Sequence, residues 1–381
     1  MGPMPDVTIL RNPGRSAPPA SGPAGPSPRA FHRRLPGYDP TPLISAGDLA
    51  AELGLGQLWI KDEAWRLGLP AFKMLGASWA SYRLLVDRLG HEPAWSSLEE
   101  LAAALGPIKP LTLVAATDGN HGRAVARTAK LLGLAAEILV PEGTAAARVD
   151  AIASEGASVT VVDGTYDDAI AASAALASAD HLVVSDTSWP GYAEVPRWVI
   201  DGYTTIFEEV DEQLAAVGAR PPDVVVAQMG VGALAAAVSG HFRDASGAGP
   251  LIVVVEPDTA DCGLRSAEAG RLVEVPGPHR SIMAGLNCGR ASELAWPVVS
   301  AGTDVFVAVG DAAAEGAMRD LARIGVVAGE TGGAGLAGLR ALVESGFDAI
   351  GPSTSVLVIN TEGPTDPAAY ERIVGTAVVG R

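Results

Sequence analysis

Short apolar runs recur along the chain, each closed by a polar or glycine-rich turn and followed by a stretch with helical spacing. LWIKD (58–62), LTLVAAT (111–117), AEILV (136–140), SVTVV (158–162), HLVVS (181–185), DVVVAQ (223–228), LIVVVE (251–256), VFVAV (305–309) and SVLVIN (355–360) have strand length and are rich in Val and Ile. The segments between them predict helices over about 73–89, 120–132, 145–154, 166–178, 195–216, 233–243, 312–324 and 334–345. Strands that alternate with helices form βαβ units, so the fold class is α/β with parallel sheets. Near-continuous Val, Ile and Leu within the strands predicts burial on both faces. No self-similar period appears, which excludes a solenoid. At about 150 residues per domain, 381 residues suggest two domains.

The N-terminal stretch breaks the pattern. Residues 11–30, RNPGRSAPPASGPAGPSPRA, are dominated by Pro, Gly, Ser and Ala, and predict an extended or disordered arm through residue 30. FHRRLPGYDPTPL (31–43) sets apolar anchors among prolines and is expected to lie against the body.

Charge and cysteine usage narrow the partners. A net charge of −17 argues against nucleic acid and anionic membranes, which need clustered Lys and Arg. No apolar stretch is long and bare enough for a membrane span, and residues 1–10 lack a secretory signal. Two cysteines, Cys262 and Cys288, make no disulfide framework, which suits the cytoplasm. The six histidines lack zinc-site spacing, so no metal is expected, and no G-x-S-x-G elbow supports a hydrolase triad.

In open parallel sheets, ligands bind beyond the carboxyl ends of the strands, so polar residues just after each strand are the candidates for chemistry. Thr117-Asp118-Gly119-Asn120-His121-Gly122 follows one strand and enters a helix. A helix cap needs one such residue, and this loop has several. Gly230-Val231-Gly232-Ala233 follows another; glycines before a helix N-terminus let backbone N–H groups meet a phosphate, although a plain turn reads the same way. The third glycine of a dinucleotide fingerprint is replaced by Ala235, which weakens a nicotinamide-dependent dehydrogenase reading. Lys73, in AFKMLGAS, opens a helix among apolar residues. A cation is disfavoured there, and its amine is suited to attack an aldehyde, although a snorkelling surface lysine fits the same residues. Ser185-Asp186-Thr187 and Asn360-Thr361-Glu362-Gly363 are two further polar strand ends, each also readable as a turn.

In this order, AFKMLGAS, ATDGNHGRAVA, SDTSWPGY, GVGALA, IMAGLNCG and TEG resemble the fold-type II pyridoxal-phosphate (PLP) enzymes, the tryptophan synthase β superfamily, and within it the diaminopropionate ammonia-lyases. The resemblance runs from about residue 36 to 363. It implies two domains with PLP in the cleft between them: a large one of residues 1–79 and 195–381 and a small inserted one of residues 80–194. It implies Lys73 as the Schiff-base lysine, Asn120 as partner of the ring 3-oxygen, Gly230, Val231, Gly232 and Ala233 as the phosphate loop, and Thr361 as the hydroxyl facing the ring nitrogen. Thr117, Asp118, Gly119 and Asp186 fall to the substrate, a small amino acid. Asp118 stands where serine and threonine dehydratases carry Ser, Ala or Gly; a carboxylate there suits a second ammonium or the removal of a proton. Pro364 departs from the lyase pattern T-E-G-D-T-D and alters the local loop. The resemblance also implies a homodimer, and places similar cysteines in the family, so that a Cys262–Cys288 bridge is open alongside free thiols. The implied activity is α,β-elimination of 2,3-diaminopropionate to pyruvate and ammonia. A serine/threonine dehydratase and a non-catalytic PLP-fold ligand-binding protein are the rival readings.

Overall fold

The computed structural model describes residues 7–19, 25–117 and 119–377. Its strands are β1 (Thr8–Arg11), β2 (Leu43–Ser45), β3 (Gln57–Asp62), β4 (Thr112–Ala116), β5 (Ala135–Pro141), β6 (Ser158–Val162), β7 (His181–Val183), β8 (Val224–Gln228), β9 (Leu251–Pro257), β10 (Val305–Val309) and β11 (Ser355–Asn360). All nine strands expected from the apolar runs are present, within two residues at their ends. The chain folds as two compact units.

The larger unit, described over residues 7–19, 40–65 and 206–377, holds a seven-stranded sheet in the order β1-β10-β9-β8-β11-β3-β2. Its inner strands pair in parallel, whereas β1 and β2 run antiparallel at the edges. Every residue of β8, β10 and β11 is buried, as continuous apolar runs require when helices cover both faces. Helix Glu330–Glu344 contributes Leu336, Leu339 and Leu342 to the same core as Val226, Val255 and Val358.

A buried ion pair crosses this unit. Lys61 Nζ, on β3, donates to Glu209 Oε2 (2.7 Å) and to Thr41 O (2.8 Å), and both charged side chains are fully buried. Thr41 N also donates to Glu209 Oε2 (3.2 Å).

The smaller unit, described over residues 25–39, 66–117 and 119–205, holds a four-stranded parallel sheet in the order β6-β5-β4-β7. Here one expectation fails. SVTVV is an edge strand, largely open to solvent, with Val161 57% exposed. An apolar run does not say whether a strand lies in the middle of a sheet or at its rim.

The N-terminal arm also differs from expectation where it is described. Thr8–Arg11 pairs with β10, and Asn12 Nδ2 donates to Ser300 O and Thr303 O, each at 2.7 Å. Helix Pro28–His32 packs into the smaller unit, where Phe31 stacks on Tyr82 with ring centroids 4.6 Å apart. His32 Nε2–H donates to Leu75 O (2.9 Å), which leaves Nδ1 to accept from Thr205 Oγ1 (2.8 Å). Pro and Gly content hid these anchors; residues 1–6 and 20–24 of the expected arm lie outside the described residues.

The unit boundaries differ from the sequence expectation as well. Residues 66–79, with Lys73, and 195–205 belong to the smaller unit, because helix Lys73–Leu89 packs on helix Asn120–Leu132 and on the start of helix Glu194–Ala216.

Candidate active site

Lys73 is the first residue of helix Lys73–Leu89. Its Nζ donates to Asp186 Oδ2 at 2.7 Å. Sequence placed an unsupported cation at a helix N-terminus; the fold supplies a carboxylate from the loop after β7, and the amine is ion-paired. Asp186 is buried, which opposes its ionisation, but the Lys73 ammonium beside it holds its carboxyl down to about 2. It therefore stays charged at every working pH.

Two further residues, His121 and Tyr203, complete this cluster. His121 Nε2–H donates to Val184 O (2.8 Å), and its buried Nδ1 has no partner. Burial pushes the imidazole below its ordinary range, against the pull of Asp186, so the ring is neutral with an open acceptor. Tyr203 lies across the Lys73 helix at Gly76, where a Cβ would come within 2.5 Å of its ring. Lys73 Nζ is 6.0 Å from that ring's centroid, and the buried Tyr203 Oη makes no hydrogen bond of normal geometry. Burial raises the phenol well above its usual range. His121 was visible in the G-N-H-G motif, whereas nothing in the sequence spacing brings Tyr203 to Lys73.

The 117–122 loop leaves the carboxyl end of β4. Thr117 is buried and its Oγ1 accepts from Gly119 N (2.9 Å). Gly119 has φ +154°, a region that L side chains rarely adopt, which fixes glycine here. Asn120 then opens helix Asn120–Leu132 and is half-buried. Asp118 lies outside the described residues. The helix is anchored from below by the buried Glu155, which accepts from Arg127 Nε (2.5 Å) and Nη2 (2.8 Å).

A second group of candidates stands at the carboxyl ends of β8 and β11, in the larger unit. Gly232, at φ +98°, turns the chain into helix Ala233–Phe242, whose first N–H groups have no intrahelical partners. A Cβ on Gly230 would press on Gly285 O at 3.0 Å and Cys288 Sγ at 3.2 Å. Val231 and Ala233 are buried beside them. A helix N-terminus opened by glycines in this way is suited to an anion.

Thr361, directly after β11, is buried, and its Oγ1 accepts from Gln228 Nε2 (3.2 Å). Cys262 and Cys288 are both buried and are not joined in a disulfide. Burial, then Glu256 and Cys288, drive the Cys262 thiol well above its ordinary range, so it is not a thiolate nucleophile. Among the described residues no cluster of His, Cys, Asp or Glu is suited to a metal ion.

Residues 34–362 match the profile of a family described as pyridoxal-phosphate dependent enzyme. The diaminopropionate ammonia-lyase of Escherichia coli (strain K12) is 39% identical over 360 residues, with 91% of this chain and 90% of that protein covered. The crystal structure of diaminopropionate ammonia lyase from Escherichia coli in complex with D-serine has a TM-score of 0.87 at 36% identity, covering 97% of this chain and 96% of that one. The crystal structure of the same Escherichia coli lyase in complex with an aminoacrylate-PLP azomethine reaction intermediate also has a TM-score of 0.87, at 35% identity and the same coverage.

Proposed function

The chain belongs to the pyridoxal-phosphate dependent enzyme family, and from that membership we propose that it is a carbon–nitrogen lyase that converts 2,3-diaminopropionate to pyruvate and ammonia. One observation carries this reading furthest: an ionised, buried carboxylate, Asp186, sits 2.7 Å from the one lysine that opens a helix at a strand-end loop cluster. A diamino acid has a second ammonium for such an anion; serine has none.

The residues fit the cofactor. The glycine turn at 230–233 leads into a helix N-terminus whose first N–H groups, without intrahelical partners, suit a phosphate. Thr361 offers a buried hydroxyl proton with no acceptor among the described residues. Lys73 offers an amine, and Asn120 a side chain that both donates and accepts. PLP, when bound, supplies an aldehyde for an amine and a conjugated ring that draws electrons from the substrate Cα.

The chain's own groups do the rest. Lys73 Nζ would hold the aldehyde of PLP when it is bound, and the free amine is suited to take the Cα proton of the L-isomer. Asp186 keeps that amine oriented through its 2.7 Å hydrogen bond and attracts the β-ammonium before it leaves. Asp118 is the base for the D-isomer. Thr117 presents its hydroxyl proton to the substrate carboxylate, while Gly119 N–H, donating to Thr117 Oγ1, holds that hydroxyl in place. Gly230 to Ala233 would hold the phosphate, and Thr361 would donate a hydrogen bond to an unprotonated ring nitrogen. We take the working assembly to be a homodimer and the compartment to be the cytoplasm, where two buried cysteines without a disulfide are at home.

Comparison of pyruvate release from the two substrates tests this reading. Diaminopropionate is expected to exceed serine in kcat/KM by at least about 100-fold, the scale of one unpaired buried charge. Asp186→Asn should erase most of that preference. Equal turnover of serine by the unaltered enzyme would instead establish a serine dehydratase. Asp118→Asn separates the isomers: turnover of D-diaminopropionate should fall by about 100-fold or more, the scale of a lost general base, with a much smaller loss for the L-isomer. Equal losses would assign Asp118 to binding alone.

A further inference from the structure

Gln228 ends β8 and is buried within the core of the larger unit. Its Nε2 faces four acceptors: Thr331 O (3.0 Å), Gly332 O (3.1 Å), Ile359 O (3.0 Å) and Thr361 Oγ1 (3.2 Å). Its Oε1 is buried with no partner. An amide of this kind has two protons at one end and only lone pairs at the other. Turning it over would set Oε1 against three carbonyl oxygens, so the surroundings fix which end is the donor. The protein tolerates an orphaned buried oxygen to keep that donor in place, and such an oxygen is costly.

The consequence falls on Thr361. A hydroxyl has one proton and two lone pairs. With Gln228 donating into one lone pair, the proton of Thr361 is turned away from the amide, and no acceptor for it exists among the described residues. We infer that Gln228 is a positioning residue: it holds the Thr361 hydroxyl as an acceptor toward the protein, so that its proton is delivered to an unprotonated ring nitrogen of PLP. The inference rests on the proposed function and adds a residue to it.

A double-mutant cycle with cofactor-based readouts tests the claim. Apo-protein is titrated with PLP and the visible band gives the dissociation constant; PLP labelled with ¹⁵N at the ring reports hydrogen bonding at that nitrogen. Gln228→Met is expected to weaken binding by about three- to tenfold, the range for one neutral hydrogen bond, and to move the ring ¹⁵N signal toward its position in Thr361→Val. In the Thr361→Val background the same change should alter neither readout further. If Gln228→Met does not fold, Gln228→Glu keeps the shape with at most one proton for the four acceptors, and should give the same two shifts. An unmoved ¹⁵N signal, or an equal loss of affinity in both backgrounds, would make Gln228 a purely structural residue and overturn the inference. A wild-type protein that takes up no PLP would overturn the proposed function first, and the inference with it.

Discussion

Lys73→Ala is expected to remove the visible absorbance of PLP-loaded protein and to lower turnover of diaminopropionate by at least about 10⁴-fold, the scale at which an essential covalent group is lost. Lys73→Arg should do the same, which distinguishes the chemistry from the charge. Arginine keeps a cation for Asp186 but has no amine able to attack an aldehyde. Both variants should remain folded, because the Lys73 side chain is 21% exposed. Activity retained in either variant, measured as pyruvate release, would dismiss the assignment.

The second large effect is on stability and lies away from the chemistry. Glu209→Leu leaves the fully buried Lys61 ammonium without its carboxylate. Removing one partner of such a pair costs about 3–5 kcal/mol, whereas replacing both with apolar residues is often neutral. Thermal melting should therefore show a large loss for Glu209→Leu and substantial recovery in Lys61→Met/Glu209→Leu. Recovery will be incomplete, because Thr41 N and O and Gln213 Oε1 also lose partners. A single variant as stable as the parent would show that Lys61 sheds its proton or reaches water without cost.

These two sites mark what the sequence makes legible. Periodicity located the strands, because Val- and Ile-rich runs such as SVLVIN and VFVAV are of strand length and sit between turn residues. The rule that ligands gather at carboxyl ends then singled out the 117–122 loop, Gly230–Ala233 and Thr361, and the family resemblance picked out Lys73. Partnerships stayed hidden. Asp186 is 113 residues from Lys73, and only the fold brings the two to 2.7 Å. Gln228 looked like the polar end of a strand, since nothing local reveals three carbonyls converging on its amide. The edge position of β6 and the docking of Thr8–Arg11 on β10 were equally invisible, because strand order is a long-range property. The short helices Cys262–Ala269 and Trp296–Gly302 were missed because they are too brief to show helical spacing.

The chain contains only four lysines, Lys61, Lys73, Lys109 and Lys130, so the attachment point can be read directly. Protein incubated with PLP is reduced with borohydride, digested and mapped by mass spectrometry. The phosphopyridoxyl mass should appear on the peptide containing Lys73 and on no other. The same mass on Lys61, Lys109 or Lys130 in place of Lys73 would contradict the account.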